Sequence, residues 1–267
     1  MNAGMAPLAL YMDAFMKCST IEQVWALHAE KMKEYGFDRM IFGSTRFRTH
    51  GSFGDVMDAL ILTNHDSNYV DLFFGKEMYL YAPMATWAAS NVGVMSWQWA
   101  KDRRERGLLS SEEEQLLGLN EKMGVSAGYS ISFEVLSQRN KAAIGLCAQP
   151  GMTQSDVDKA WQISGSEIVM LNNLLNLKID SLPNSGGRKP MTHRQREVLQ
   201  WVADGKTVQD VSTIMGLRPV TVEKHLRLAR ENLNVDTTAQ AIMKATVQNQ
   251  FYLFEDVGNR PISAATG

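Results

Sequence analysis

The sequence predicts an α+β N-terminal body followed by a small all-α unit, and three observations carry that prediction. The stretch "DSLPNSGGRKP", residues 180–190, gathers prolines, glycines and serines and interrupts every periodic pattern around it, so it reads as a linker. Ahead of it, short β-branched or alternating runs lie between helical repeats; behind it, every periodic stretch is helical. The charge divides at the same place. Residues 1–187 hold 16 Lys and Arg against 21 Asp and Glu, a net of −5, whereas residues 188–250 hold 10 against 6, a net of +4. The expected organisation is a first domain over residues 1–177, a linker over 178–190, a second domain over 191–253 and a tail over 254–267.

Within the body, "STIEQVWALHAEKMKEYGF" reads as a helix with Ser19 or Thr20 as its cap, Ile21, Val24, Trp25, Leu27 and Met32 on its apolar face, and Gly36 as its stop. "RMIFGSTRF", "DALILTN", "GYSISFEVLS" and "KAAIGLCAQ" are short, β-branched or alternating, and bounded by turn formers, so they read as strands. "SSEEEQLLGLNEKMG" carries a Ser-x-x-Glu capping pattern and reads as a helix. "SDVDKAWQISGSEIVMLNNLLNLK" reads as a long amphipathic helix with Ser155 as its cap and Gly165 as a weak point. The simplest assembly is an antiparallel sheet with helices packed on its faces.

After the linker the punctuation is dense. Thr192 is placed to cap a helix that turns Val198, Leu199 and Val202 inward and ends at Gly205; Thr207 caps a shorter one ending at Gly216. Pro219 suits the first turn of the next helix, which would bury Val222, Leu226, Ala229 and Leu233 and turn Val220, Lys224 and Arg227 outward. Thr237 or Thr238 begins a fourth. A short helix, a tight turn and a helix with a basic outer face form the helix-turn-helix geometry that reads duplex DNA, and the basic balance suits a polyanionic partner. Lys224 and Arg227 are the expected base or phosphate contacts, with Val220, Thr221 and Glu223 also facing the groove, and Lys206 is expected to meet phosphate. His225 lies at the edge of the buried stripe and reads equally as a packed histidine or a DNA contact.

Over this whole unit the chain resembles the DNA-binding domain of LuxR-type regulators, through Arg196, Glu197, Val198, Leu199, Gly205, Lys206, Gly216, Thr221, Val222, His225, Leu233 and Val235. It departs at Gln195, where the family usually has an acidic residue, and at Arg218, where it usually has serine. The resemblance implies an α-β-α sandwich ahead of the DNA-binding domain, with an acyl-homoserine lactone held between sheet and helices. It also implies a homodimer and a cytoplasmic regulator acting on a double-stranded operator. The aromatic-rich segment 68–99 is where the family's ligand motif falls. Aligning on Pro83 puts Tyr69 at the motif's first tryptophan, Phe73 at its tyrosine, Ala82 at its aspartate and Trp97 at its second tryptophan, and Gly128 matches a later glycine.

The proline, one tryptophan and the glycine survive, while the three residues that would hold the lactone headgroup and amide are changed. The expected ligand is therefore a compact apolar or aromatic signal, facing Tyr69, Phe73, Tyr81, Ala82, Pro83, Trp97, Trp99 and Gly128, with Ser130 and Ser132 available for hydrogen bonds. Trp25, Trp87 and Trp161 are expected to be framework. Two alternatives stay open: a lactone receptor with a compensated site, and a ligand-independent regulator whose pocket is closed by its own aromatic residues.

Other classes find little support. No stretch reaches the ~18 uninterrupted apolar residues of a membrane span. The N-terminus has no basic segment before its short apolar run, so no secretory signal is expected. Only Cys18 and Cys147 are present and the five histidines are scattered, so neither a disulfide framework nor a metal site is expected, and no cofactor is implied. "DGKT" at 204–207 echoes a phosphate-binding loop but has Gln200 where the loop needs glycine, and no catalytic residues are assigned.

Overall fold

The computed structural model describes residues 7–48, 56–134, 137, 139–184 and 189–251; the predicted tail over 254–267 and part of the predicted linker lie outside them. Two compact units part after Leu182.

The first unit opens with α1 (Pro7–Lys17) and α2 (Ile21–Lys33), the second capped by the Thr20 hydroxyl. A five-stranded antiparallel sheet follows from β1 (Phe37–Thr45), β2 (Leu60–Thr63), β3 (Gly93–Ser96), β4 (Gly128–Ser132) and β5 (Lys141–Ala148), in the order β2-β1-β5-β4-β3. Between β2 and β3 run α3 (Ser67–Val70), a π-helical turn (Asp71–Gly75), a 3-10 turn (Met78–Tyr81) and α4 (Pro83–Ser90). Between β3 and β4 lie α5 (Gln98–Glu105) and α6 (Ser111–Lys122). The long α7 (Gln154–Ser181) closes the unit.

Strand alternation decides which residues meet which helices. Along β5, Ala142, Ile144, Leu146 and Ala148 enter the core formed with α1, α2 and α7, while Cys147 belongs to a second cluster with Tyr69, Phe73 and Leu116. On β1, Met40 and Phe42 face the first core and Ile41 packs on the second. The sheet is thus covered on both faces, the α-β-α arrangement that the resemblance implies. The α4 helix is fastened at its C-terminal end, where Arg48 donates to Ala89 O at 2.7 Å and buried Lys141 to Asn91 O at 2.6 Å. Cations there complement the helix dipole.

Three expectations need correction. Thr153, not Ser155, caps α7, through a reciprocal bond with Asp156. The helix continues to Ser181, four residues into the stretch assigned to the linker, because Ile179 and Leu182 still pack in the first core. Gly165 is no weak point: a Cβ there would lie 2.5 Å from Trp161 Nε1, so the missing side chain makes room for an indole that stacks on Tyr129 at 3.8 Å between centroids.

The second unit contains α8 (His193–Ala203), α9 (Val208–Met215), α10 (Pro219–Leu233) and α11 (Thr238–Val247). Thr192, Thr207 and Thr237 each form a reciprocal capping box with the third residue of the helix they begin. Gln195 fills the acidic residue's place in the first box and also accepts from Asn232 at 2.9 Å, tying α8 to α10. Gly216 ends α9 at φ +63°, a conformation costly for other residues. Val222, Leu226, Ala229 and Leu233 are all buried, as the spacing predicts.

Candidate ligand cavity and DNA-reading helix

A cavity of about 370 Å³ lies between the second face of the sheet and α3 to α6. Tyr69, Phe73, Ala82, Pro83, Trp97 and Ser130, six of the sequence-assigned ligand residues, line it. One wall is a tier of rings one helical turn apart: His65 stacks on Tyr69 at 4.6 Å, Tyr69 on Phe73 at 5.4 Å with planes 14° apart, and Phe74 meets Phe73 edge-on at 5.0 Å. Trp97 also lines the cavity, and its ring rests over Gly128. A Cβ on that glycine would come within 3.1 Å of the indole and 2.1 Å of Leu146 O.

The other four assigned ligand residues do not line the cavity. The 3-10 turn brings Tyr79 and Leu80 to the wall and leaves Tyr81 46% exposed. At the N-cap and along α5 the lining positions are Trp97, Ala100, Lys101 and Arg104, a helical period that puts Trp99 on the far side, where Arg103 lies 5.0 Å from its ring. Gly128 is covered by Trp97. Ser132 is spent at the C-terminal end of α4, 2.7 Å from Asn91 O and 2.9 Å from Ala88 O. The sequence reading missed His65, Lys101, Arg104 and Asn120, although the spacing of 97, 100, 101 and 104 was available to find two of them.

The polar groups at the cavity are largely engaged with one another. Trp97 Nε1 donates to Ser130 Oγ at 3.0 Å, and Tyr69 OH donates to Asn120 Oδ1 at 3.0 Å. Burial, and secondarily the neighbouring Cys147, pushes the Tyr69 hydroxyl well above its ordinary range, so it stays protonated. Burial, reinforced by the Arg39 charge, lowers His65 to about 4, which keeps its ring neutral. Ala82 offers no acceptor. At the rim, Arg104 is clamped by Glu114 at 2.8 Å and Glu121 at 2.6 Å.

In the second unit, α9, the turn at Gly216 and α10 form the helix-turn-helix. Lys206, Glu223, Lys224 and Arg227 are exposed, Val220 is 72% exposed and Thr221 is half-buried. Arg227 pairs with Glu231 one turn on. His225 is half-buried, and its Nδ1 is enclosed without a hydrogen-bond partner among the described residues. Its ring is therefore part of the packing at the edge of the buried stripe.

Residues 20–179 match the family model described as an autoinducer binding domain, and residues 189–245 match that of bacterial regulatory proteins of the luxR family. The chain is 23% identical over 202 residues to the transcriptional activator protein CarR of Pectobacterium carotovorum subsp. carotovorum, covering 72% of this chain and 80% of that one. It is 23% identical over 190 residues to the transcriptional activator protein LuxR of Aliivibrio fischeri, covering 70% and 73%. The solved structure of SdiA in complex with octanoyl-rac-glycerol shares the fold, with a TM-score of 0.51 and 15% identity over 93% of this chain and 96% of that one.

Proposed function

The chain belongs to the LuxR-type bacterial regulatory proteins that carry an autoinducer-binding domain, and from that premise we propose a regulator, not an enzyme, whose signal is a compact apolar or aromatic molecule rather than a standard acyl-homoserine lactone. One observation carries the reading: the cavity keeps its rings but has no free group for an amide N–H at position 82, and its Trp97 and Tyr69 donors are already spent inside the wall. Losing a charge-assisted bond to a ligand amide costs about 1.5 to 3 kcal/mol, and burying that amide unpaired costs a further ~1 to 3 kcal/mol. Rings and alkyl groups lose nothing in such a space.

The closed-pocket alternative is disfavoured by the volume of the cavity. The compensated-lactone alternative needs another acceptor near Ala82, and the Asn120 oxygen is already taken by Tyr69. Ligand binding would stabilise the first unit and, through it, a homodimer in the cytoplasm that grips a double-stranded operator with paired recognition helices. Ile163, Met170 and Leu177, exposed at seven-residue spacing along α7, are the surface that supports pairing. Lys224, Arg227, Val220, Thr221 and Glu223 would enter the major groove, with Lys206 at phosphate.

The test is Ala82→Asp. The parent should show no thermal shift with a panel of acyl-homoserine lactones and a clear shift with at least one of indole or naphthalene, while the variant should gain a lactone shift. A parent that responds to lactones and not to aromatic compounds would overturn the ligand class.

A further inference from the structure

The unspent polar groups at the cavity are unequal in kind, and that inequality describes the polar end of the ligand. Asn120 uses its Oδ1 to accept from Tyr69, which leaves its Nδ2 as a donor at the cavity wall. Lys101 lines the same cavity, half-buried, and no acidic side chain pairs with it among the described residues. It lies one helical turn before Arg104 on the same face of α5, so the two cations share one rim. Arg104 differs in being held between two carboxylates on α6, Glu114 and Glu121. Glu121 is the acidic residue that borders the cavity, and it is exposed and engaged by that pair. The space therefore presents an uncommitted ammonium and an uncommitted amide N–H₂ beside a tier of rings, with its one lining carboxylate, Glu121, already taken.

Resting on the aromatic-signal reading above, we propose that the cognate ligand is an aromatic carboxylate. Its ring lies along the tier of His65, Tyr69 and Phe73, and its carboxylate accepts from Lys101 Nζ and Asn120 Nδ2. The charge of the ligand supplies the partner that Lys101 lacks, and hydrogen bonds in which both sides are charged are the stronger kind. A neutral ring of the same shape fills the cavity without satisfying either donor.

The test is titration calorimetry of the full chain with 2-naphthoate, 2-naphthamide and octanoate, repeated with Lys101→Met and Asn120→Asp. The parent should bind 2-naphthoate at least tenfold more tightly than either other compound. Lys101→Met should bring acid and amide within about threefold of each other, and Asn120→Asp, which retains an acceptor for Tyr69 and adds a repelling charge, should weaken the acid selectively. Unfolding midpoints without ligand report whether each variant is folded, and either folded variant suffices. Equal affinity of the parent for acid and amide would overturn the carboxylate assignment and leave the aromatic sensor standing. Octanoate binding more tightly than 2-naphthoate would overturn the ring assignment, and binding of none of the three would overturn this inference, while the indole and naphthalene shifts decide the reading beneath it separately.

Discussion

The helices of the second unit begin and end where their own residues dictate, whereas the cavity of the first is assembled from stretches with no local reason to meet. Thr192, Thr207 and Thr237 each close a capping box within three residues, and Gly216 stops α9 in place. The cavity instead draws Ile41 from β1, Tyr69 from α3, Trp97 from the start of α5, Asn120 from α6 and Gly145 from β5. Local bonds make a unit legible and individually replaceable. A site built from distant segments depends on a few close approaches, each of which is hard to replace.

The largest expected effect tests that dependence. Gly128→Ala forces a methyl to within 2.1 Å of Leu146 O and 3.1 Å of Trp97, which must either part β4 from β5 or unseat the indole. Overpacking of this kind should cost the first unit about 3 kcal/mol. Calorimetry of the full chain should show the first unit's transition lowered and the second's unchanged; a first unit that melts as before would mean the ring is not seated by that glycine.

The next largest is the response to acid. His28 is fully buried, with Tyr11 OH 3.0 Å from Nδ1 and Asn172 Oδ1 3.1 Å from Nε2. Burial lowers it from 6.5 to about 4, against the smaller opposing effect of Asn172, and His65 is lowered to about 4 as well. The unfolded chain takes up these protons below pH 6.5 and the folded chain only near 4, so stability is lost as pH falls through that window. Each histidine should cost about 2 kcal/mol between pH 7 and pH 5. His65→Phe keeps a ring against Tyr69 and should remove its share of the slope, which melting curves at several pH values would show. In the second unit, the Asp210 cap is held below 3.8 by the Thr207 hydroxyl, so its contribution is present above that value and lost only in stronger acid.

The smallest effect belongs to that cap. Thr207→Ala removes the acceptor for Asp210 N at 3.2 Å and should cost the second unit about 1 kcal/mol, leaving the first untouched. Denaturant unfolding followed separately for the two units would detect it, and equal losses in both would show that they do not melt independently.

The same contrast explains what could be read in advance. The buried stripe of α10 was visible because it repeats at helical spacing and is flanked by Pro219 and Gly216. The sheet was visible in four of its strands, but β3 and α4 lay hidden in residues 68–99, where apolar and aromatic residues are too frequent for a period to stand out. Six of the residues assigned to the ligand line the cavity, and the family spacing had singled out five of them. Tyr81 and Trp99 failed because a 3-10 turn and one face of α5 rotate them away, which a motif spacing does not record. Lys101 and Arg104 share the helical period of Trp97 and could have been found from it, whereas Asn120 comes to the cavity from α6, a helix no local pattern connects to Tyr69.

Trp97 has a practical consequence. Its indole borders the cavity and bonds to Ser130, while Trp161 is stacked flat on Tyr129 in the core on the other side of the sheet. The protein thus carries one native fluorophore bordering the cavity and another, half-buried, across the sheet. The chain holds six tryptophans, so the difference in emission between the parent and Trp97→Phe isolates the cavity signal and gives an optical readout of the proposed site that needs neither a dye nor a known operator.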